Sequence, residues 1–372
     1  MKKFVLFGIV ILLIATLATV YEQKYSKVPI GQTAFKPNGT SPSQEKSQAS
    51  ILASNLKVPW SIVFLPDGRL MFTERPGDVK ILNSNGELKT ALQIKVFQAN
   101  DTEGGLLGMS LDPNFKKNDF AYLYYTYSAS GSNTLNRVVR MTFRNDTLTN
   151  QQVLVDKIPG ALYHDGGRIK FGPDGYLYIT TGDSESPSLA QDKNSLAGKI
   201  LRIQTNGKPA PGNPFGNDIY SYGHRNPEGI TWDPQGNLWE TEHGRSNPTG
   251  YDEVNKIVKG GNYGWPTIQG NEAKSGMVTP LINSGANGTW APSGAAYFNG
   301  SIFFGGLKGQ ALYEYKISNN QLVEHFKNEF GRIRDATLGP DNMLYFTTSN
   351  QDGRGTLNPN DDKIIKVDPS KF

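Results

Sequence analysis

Several short clusters in this chain hold side chains of the kinds that do chemistry. Tyr163-His164-Asp165-Gly166-Gly167-Arg168 is followed a short way on by Thr181-Gly182-Asp183. A histidine beside a carboxylate is held in one tautomer and made more basic, which suits a general base that takes the proton of an alcohol. Tyr222-Gly223-His224-Arg225-Asn226-Pro227-Glu228-Gly229 and Thr241-Glu242-His243-Gly244 add further polar groups, followed by Asp252-Glu253-Val254-Asn255 and Gly261-Asn262-Tyr263-Gly264-Trp265-Pro266. Gly331-Arg332-Ile333-Arg334-Asp335 places two arginines at i and i+2, on one face of a strand. Side-by-side guanidiniums repel unless an anion lies between or above them, and the arginine fork suits carboxylates, so a small polyanionic ligand is implied. Alone, His164 and Asp183 would read more plainly as a turn histidine and a loop-capping aspartate. The cationic cluster turns the reading toward catalysis.

A phrase repeated six times shows what must position these groups. Phe64-Leu65-Pro66-Asp67-Gly68-Arg69-Leu70-Met71-Phe72 returns as Phe171-Gly172-Pro173-Asp174-Gly175-Tyr176-Leu177-Tyr178-Ile179, as Trp232-Asp233-Pro234-Gln235-Gly236-Asn237-Leu238-Trp239 and as Leu338-Gly339-Pro340-Asp341-Asn342-Met343-Leu344-Tyr345-Phe346. Looser copies are Leu111-Asp112-Pro113-Asn114, running on to Tyr122-Leu123-Tyr124, and Tyr297-Phe298-Asn299-Gly300-Ser301-Ile302-Phe303. Each is a hairpin: a β-run, a turn whose Pro presets φ and whose Gly or Asn tolerates the left-handed region, and a second β-run. The turns recur at roughly 40 to 65 residues, about one four-stranded propeller blade. The expected fold is therefore all-β, a six-bladed β-propeller of four-stranded antiparallel blades. A β-sandwich would have no reason to repeat its turn chemistry at blade length. The clusters stand immediately before or after the hairpins, so His164 and Asp183, which flank the third, can face each other at one rim.

Composition agrees. The chain has 41 Gly and 22 Pro for tight turns, and 17 Tyr with 18 Phe for half-buried strands. No cysteine is present, which rules out a disulfide framework and a lipid-attachment thiol. The net charge of +4 comes without any block of five like charges, so nucleic acid is not an expected partner. The N-x-S/T triplets beginning at Asn38, Asn100, Asn145, Asn287 and Asn299 carry no assigned function. At the N-terminus, Lys2 and Lys3 precede an uncharged run from Phe4 to Val20. Residues 1–22 are expected to be a signal peptide or an uncleaved membrane anchor that exports the protein to the periplasm or cell surface. Residues 23–50 read as a flexible tether, and 51–372 as the propeller.

The clusters resemble those of the soluble quinoprotein aldose dehydrogenases of the glucose/sorbosone type, from about Leu56 to Lys366. The markers are Glu103-Gly104-Gly105-Leu106-Leu107-Gly108, His164-x-x-Gly167-Arg168, Gly182-Asp183, Gly223-His224-Arg225-Asn226-Pro227, Asp252-Glu253-x-Asn255, Asn262-Tyr263-Gly264-Trp265-Pro266 and Arg332-x-Arg334-Asp335. The resemblance implies pyrroloquinoline quinone (PQQ) and Ca2+ in a cleft on the propeller axis. An aldose mono- or disaccharide would be the substrate and an unidentified carrier the electron acceptor. It makes His164 the general base for the anomeric hydroxyl, Asp183 the carboxylate that orients it, and Arg225 the group beside the quinone oxygens, with Asn226 its hydrogen-bonding neighbour. Thr289, Lys308, Arg332 and Arg334 fall on positions that bind the cofactor's carboxylates. Calcium would take the carbonyls of Gly244 and Arg245, and Glu253 with the Tyr263 carbonyl would hold a second, structural ion.

Two departures from the family stand out. Arg245 replaces the usual Pro, and its guanidinium must point away from a neighbouring metal. Glu103 replaces a Gln that contacts the quinone; its carboxyl must be neutral, paired with an arginine, or turned toward the substrate. Competing classes are a calcium-dependent lactonase or esterase, which would aim several Asp, Asn and Glu side chains at an axial metal, and a binding module, which has no need of a His-Asp pair.

Overall fold

The computed structural model describes residues 49–372, apart from Asn100, Gly131, Ser132 and Asn247. The expected export segment over residues 1–22 and nearly all of the tether over 23–50 lie outside the described residues. Among the described residues the repeated phrase becomes six four-stranded antiparallel sheets, as expected, with one additional two-stranded hairpin. The first strands of the successive blades are Pro59–Phe64, Leu106–Leu111, Ile169–Phe171, Asn226–Trp232, Pro292–Phe298 and Ile333–Leu338. Each touches the first strand of the next, and the sixth touches the first, so together they encircle an axis.

The turns are closed as their residues dictate. Gly68 N–H donates to Leu65 O, Gly175 to Gly172, Gly236 to Asp233 and Asn342 to Gly339, each at 2.9–3.1 Å. Gly68, Gly175 and Gly236 take φ of 87°, 78° and 80° there, and Asn342 takes 59°. These turns join the first strand of a blade to the second, so they mark one end of the ring. Segments entering a first strand and segments leaving a second strand meet at the opposite end, because the two strands run antiparallel. That rule collects the chemistry: Glu103, His164, Arg225, Thr289 and Arg332 enter first strands, while Arg75, Asp183, Gly244, Lys308 and Asp352 follow second strands.

Six apolar clusters fill the six gaps between neighbouring blades. Met71, Val79 and Ile81 of the first blade meet Leu106, Met109 and Leu123 of the second. Tyr122, Tyr124 and Val138 then meet Ile169, Ile179 and Leu201 of the third. The series continues round to Leu56, Ile62 and Phe72, which meet Tyr345 and Ile364 of the last blade. Each fully buried Leu, Ile or Phe contributes about 1.5–3 kcal/mol. The ring is closed by pairing its two chain ends: Ser50–Ala53 is the outer strand of the sixth blade, with Ser50 opposite Lys366 and Ile51 opposite Ile365.

Removing residues up to Ser54 leaves the outer edge of Ile364–Val367 unpaired and strips Leu52 and Ala53 from the sixth-to-first blade cluster. The truncated protein is expected to unfold in urea with a stability lower by about 2 kcal/mol or more. An unchanged midpoint would show that the closing strand carries no stability.

Candidate active site

The histidine–carboxylate pair forms as its positions require. His164 Nδ1 lies 2.7 Å from Asp183 Oδ1, and Asp183 is fully buried. Asp183 Oδ2 accepts the indole N–H of Trp265 at 2.8 Å, and Oδ1 also accepts the Glu185 N–H at 2.9 Å. With three donors on Asp183, the imidazole is fixed as the Nδ1–H tautomer and its Nε2 is left with a lone pair. The backbone is built around this contact: His164 adopts φ of 64°, and a Cβ on Gly182 would meet His164 O at 1.9 Å. Only glycine lets the two loops approach so closely.

Glu103 is resolved by its partners. One carboxylate oxygen accepts the His164 N–H at 2.8 Å and the other accepts Arg354 Nη1 at 3.0 Å. Burial opposes its ionisation, yet Arg354, His243 and His164, with the His164 N–H, hold the carboxyl at about 2. It is therefore the arginine-paired case of the three expected from sequence. Its charge is spent on Arg354 and on the backbone of the histidine.

The arginines converge on the axis, and the structure corrects the reason given for them. Arg332 directs Nε and Nη2 to Asp352 Oδ2 at 3.0 and 2.8 Å, and Arg334 Nη2 lies 4.0 Å from the same oxygen. Arg334 Nη1 also straddles Glu228 at 3.1 and 2.9 Å. The anion between the two guanidiniums is thus the protein's own, and their proximity alone does not require a ligand. What invites one is the remainder. Arg75 Nε and Arg334 Nε are buried without partners, burial pushes Arg75 down to about 10, and exposed Lys308 has no acceptor among the described residues.

Arg225 donates Nη2 to Ser246 Oγ at 2.7 Å and stands over the Trp265 ring, its guanidinium carbon 5.4 Å from the centroid. Burial lowers its pKa against the pull of Asp183 and Glu103. Asn226 turns its Oδ1 to the Gly166 N–H at 3.0 Å and so braces the loop that carries His164. The Thr289 hydroxyl donates to Asp252 Oδ2 at 2.6 Å, an oxygen that also accepts the Trp290 and Ala291 N–H groups. In this arrangement Thr289 helps cap its loop, and it can donate to a ligand carboxylate only by releasing Asp252.

Gly244, Arg245, Glu253 and Tyr263, expected at two separate ions, all line one cavity of about 20 Å³ together with Glu242 and Gln269. That is room for about one water-sized occupant. The Arg245 guanidinium is committed to other partners: it packs on the Tyr251 ring and donates to the Pro248 and Ala286 carbonyls. Around the cavity the acids are crowded. Glu240 and Glu253 share the Asn255 amide at 3.0 and 3.1 Å, while Glu242 holds His224 Nδ1 at 2.8 Å and the Arg225 N–H. Burial and the charge of Glu242 raise both Glu240 and Glu253 well above the usual carboxylate range. Glu240 Oε1, Asn255 Oδ1 and Gln269 Oε1 are buried without donors. Hard oxygen donors in this state suit a divalent cation. His224 is not free to join them, because its Nε2 is engaged by Ser221 Oγ at 2.8 Å.

Sequence reasoning gave no role to Arg75, Glu228, Asp352 and Arg354. Asp352-Gly353-Arg354 carries no local signal; Asp352 reaches Arg332 at the entry of its own blade, and Arg354 reaches Glu103 at the entry of the second. Trp265 and Asp252 stood inside noted motifs, but their contacts with Asp183 and Thr289 are long-range.

A propeller whose axial cleft sets a carboxylate-held histidine against a partly unsatisfied arginine cluster belongs to the sugar-oxidising propellers rather than to metal-centred hydrolases. The sequence pattern of the glucose/sorbosone dehydrogenase family matches residues 56–358, and the chain belongs to that family. Quinoprotein glucose dehydrogenase B of Acinetobacter calcoaceticus is 31% identical over 77% of this chain and 65% of its own length. An aldose sugar dehydrogenase of Escherichia coli is 29% identical over 86% and 92%. The PQQ-bound aldose sugar dehydrogenase of Streptomyces coelicolor superposes with a TM-score of 0.79 at 36% identity, over 86% of this chain and 97% of that one.

Asp165, next to the histidine, is fully buried with Oδ2 unpartnered, and burial pushes it up to about 7. Its folded pKa lies above the unfolded value of 3.8, so the proton it retains favours folding below about pH 4, and that advantage is lost as pH rises through 7. Asp165→Asn is expected to match the parent near pH 4 and to be the more stable by about 4 kcal/mol at pH 8. Chemical denaturation at the two pH values measures this; an equal difference at both would contradict it.

Proposed function

We propose that this protein oxidises aldose sugars at the anomeric carbon to the lactone, with PQQ as the oxidant and calcium in the cleft. The observation that carries the reading is the free Nε2 of a carboxylate-fixed His164 at the rim of a cationic axis, in a chain similar to a PQQ-bound aldose sugar dehydrogenase. The residues present suit the quinone: Arg75 and Arg334 keep orphan N–H groups, and Lys308 is a cation without an acceptor among the described residues. Arg332, Arg334 and Lys308 would hold its carboxylates, joined by Thr289 once its hydroxyl turns from Asp252, with Arg225 and Asn226 beside its quinone oxygens. When bound, PQQ supplies the two-electron acceptor for the hydride leaving the sugar C1.

The chain's own part is proton transfer and orientation. His164 Nε2 takes the proton of the anomeric hydroxyl, and Asp183 stabilises the imidazolium that results. Trp265 keeps Asp183 aimed, and Glu103 holds the His164 backbone in its left-handed conformation. Calcium would be held by the Gly244 and Arg245 carbonyls, or with Glu253 and the Tyr263 carbonyl; one cavity of about 20 Å³ serves all four. The apolar run after Lys2 and Lys3 supports export, with a membrane-associated or extracytoplasmic carrier as final electron acceptor.

The protein titrated with PQQ and calcium is expected to reduce a dye acceptor with aldoses. His164→Ala should lower kcat by about 10³-fold or more while leaving quinone affinity within about threefold. Arg334→Ala should weaken the quinone at least about tenfold. Loss of cofactor by His164→Ala with full turnover on resaturation would mean that the roles are misassigned. Added calcium should raise the melting temperature of EGTA-stripped protein, and Glu253→Gln should remove at least about half of that gain. An undiminished gain would place the ion elsewhere.

A further inference from the structure

Arg168 and Asp335 belong to the motifs that mark this chain, yet neither faces the cleft. They meet behind it. Arg168 Nη1 pairs with Asp335 Oδ1 at 3.1 Å and donates to Trp60 O at 3.3 Å, and its guanidinium carbon lies 4.0 Å from the Trp60 ring centroid. Arg334 of the cleft approaches the same ring at 5.8 Å, so Trp60 stands between the catalytic cations and this pair. Beyond it opens a cavity of about 220 Å³ on the axis, lined by a stretch of the first strand of every blade.

The charges in this cavity do not balance. Arg168 is 5% exposed, and its Nε and Nη2 have no hydrogen-bond partner. Lys170, two residues along the same strand, lines the cavity with no acceptor among the described residues. Among the residues that line the cavity one carboxylate opposes these two cations, and it is already committed; Glu228, which also acts on Arg168, is held by Arg334. Asp335 Oδ1 is held by Arg168, and Oδ2 accepts the Ile62 N–H at 3.0 Å and the Thr337 hydroxyl at 3.2 Å. Arg168 is buried and Lys170 half-buried, and positive charge with idle donors is costly in weakly polar surroundings. Water can accept hydrogen bonds there but cannot cancel the charge. The volume is ample for an ion with part of its hydration shell.

We propose that this axial cavity is a binding site for a small inorganic anion, held by Arg168 Nε and Nη2 and by Lys170 Nζ. The site is separate from the quinone cleft and does not depend on its chemistry. Three charged groups face it: Arg168, Lys170 and Asp335. Burial holds Lys170 down to about 8 against the pull of Asp335, so binding weakens as pH rises through that value and the ammonium is lost. Such an ion would screen Arg168 from Arg334 across Trp60 and leave the cleft arginine governed by Glu228 and Asp352.

Chloride-35 NMR line widths of the full-length protein, read without and with PQQ, test the assignment. The expected result is a saturable excess broadening at pH 7 that PQQ does not displace and that Lys170→Met weakens at least about tenfold, the loss of one charge-assisted hydrogen bond. Crystals soaked in bromide should show an anomalous peak within hydrogen-bonding distance of Arg168 and Lys170, which tests the site without any variant. No bromide at the axis, broadening unchanged in Lys170→Met, or displacement by PQQ would each overturn the proposal; displacement would move the ion to the cleft arginines.

Discussion

Every feature of the axial cleft follows from the need to bury several guanidiniums close together. Six first strands converge on one axis, so cations carried by different blades are forced within a few ångströms of one another. Unpaired, such charges would cost more than the fold could tolerate. The chain meets this with carboxylates from the same blade and from other blades: Asp352 between Arg332 and Arg334 of its own blade, and from elsewhere in the ring Glu228 under Arg334, Asp335 against Arg168 and Glu103 on Arg354. The pairing is incomplete, and incompleteness is what makes the cleft receptive. Arginine N–H groups left without acceptors bind an incoming anion without first breaking an internal bond.

The same network prepares the histidine. Glu103 links Arg354 to the His164 backbone, Asn226 links the strand entry after Arg225 to Gly166, and Asp183 ties the imidazole to Trp265. The base is therefore held from its backbone, its ring and its neighbouring loop at once. Three separate blades supply these supports, which explains why the ring must be closed before the site exists. The pairing of Ser50–Ala53 with Ile364–Val367 is far from the chemistry and still a condition of it.

Calcium poses the converse problem. Glu240, Glu242 and Glu253 crowd one side of the cleft, where Asn255, His224 and the Arg225 and Gly270 N–H groups are too few to satisfy three carboxylates. The four residues that the resemblance assigns to calcium, far apart in sequence, border one small cavity. Their separation along the chain concealed this, because Asp252 folds Gly244 back toward the Thr289 loop.

The repeated turn determines the architecture by itself. Pro, Asp, Gly and Asn set φ locally, the alternating apolar runs set the faces, and blade length sets the number of blades. The His164–Asp183 pair was legible for the same reason, since residues that flank one hairpin must share a rim. The electrostatic partners were not legible. Whether Arg334 awaits a ligand or rests on Glu228, whether Glu103 is neutral or bound to Arg354, and that Arg168 and Asp335 turn away from the cleft all depend on which blades come together around the axis. Local sequence specifies dihedral angles and burial patterns. Charge pairing acts through space, between segments up to 251 residues apart in the case of Glu103 and Arg354, and only the closed ring decides it.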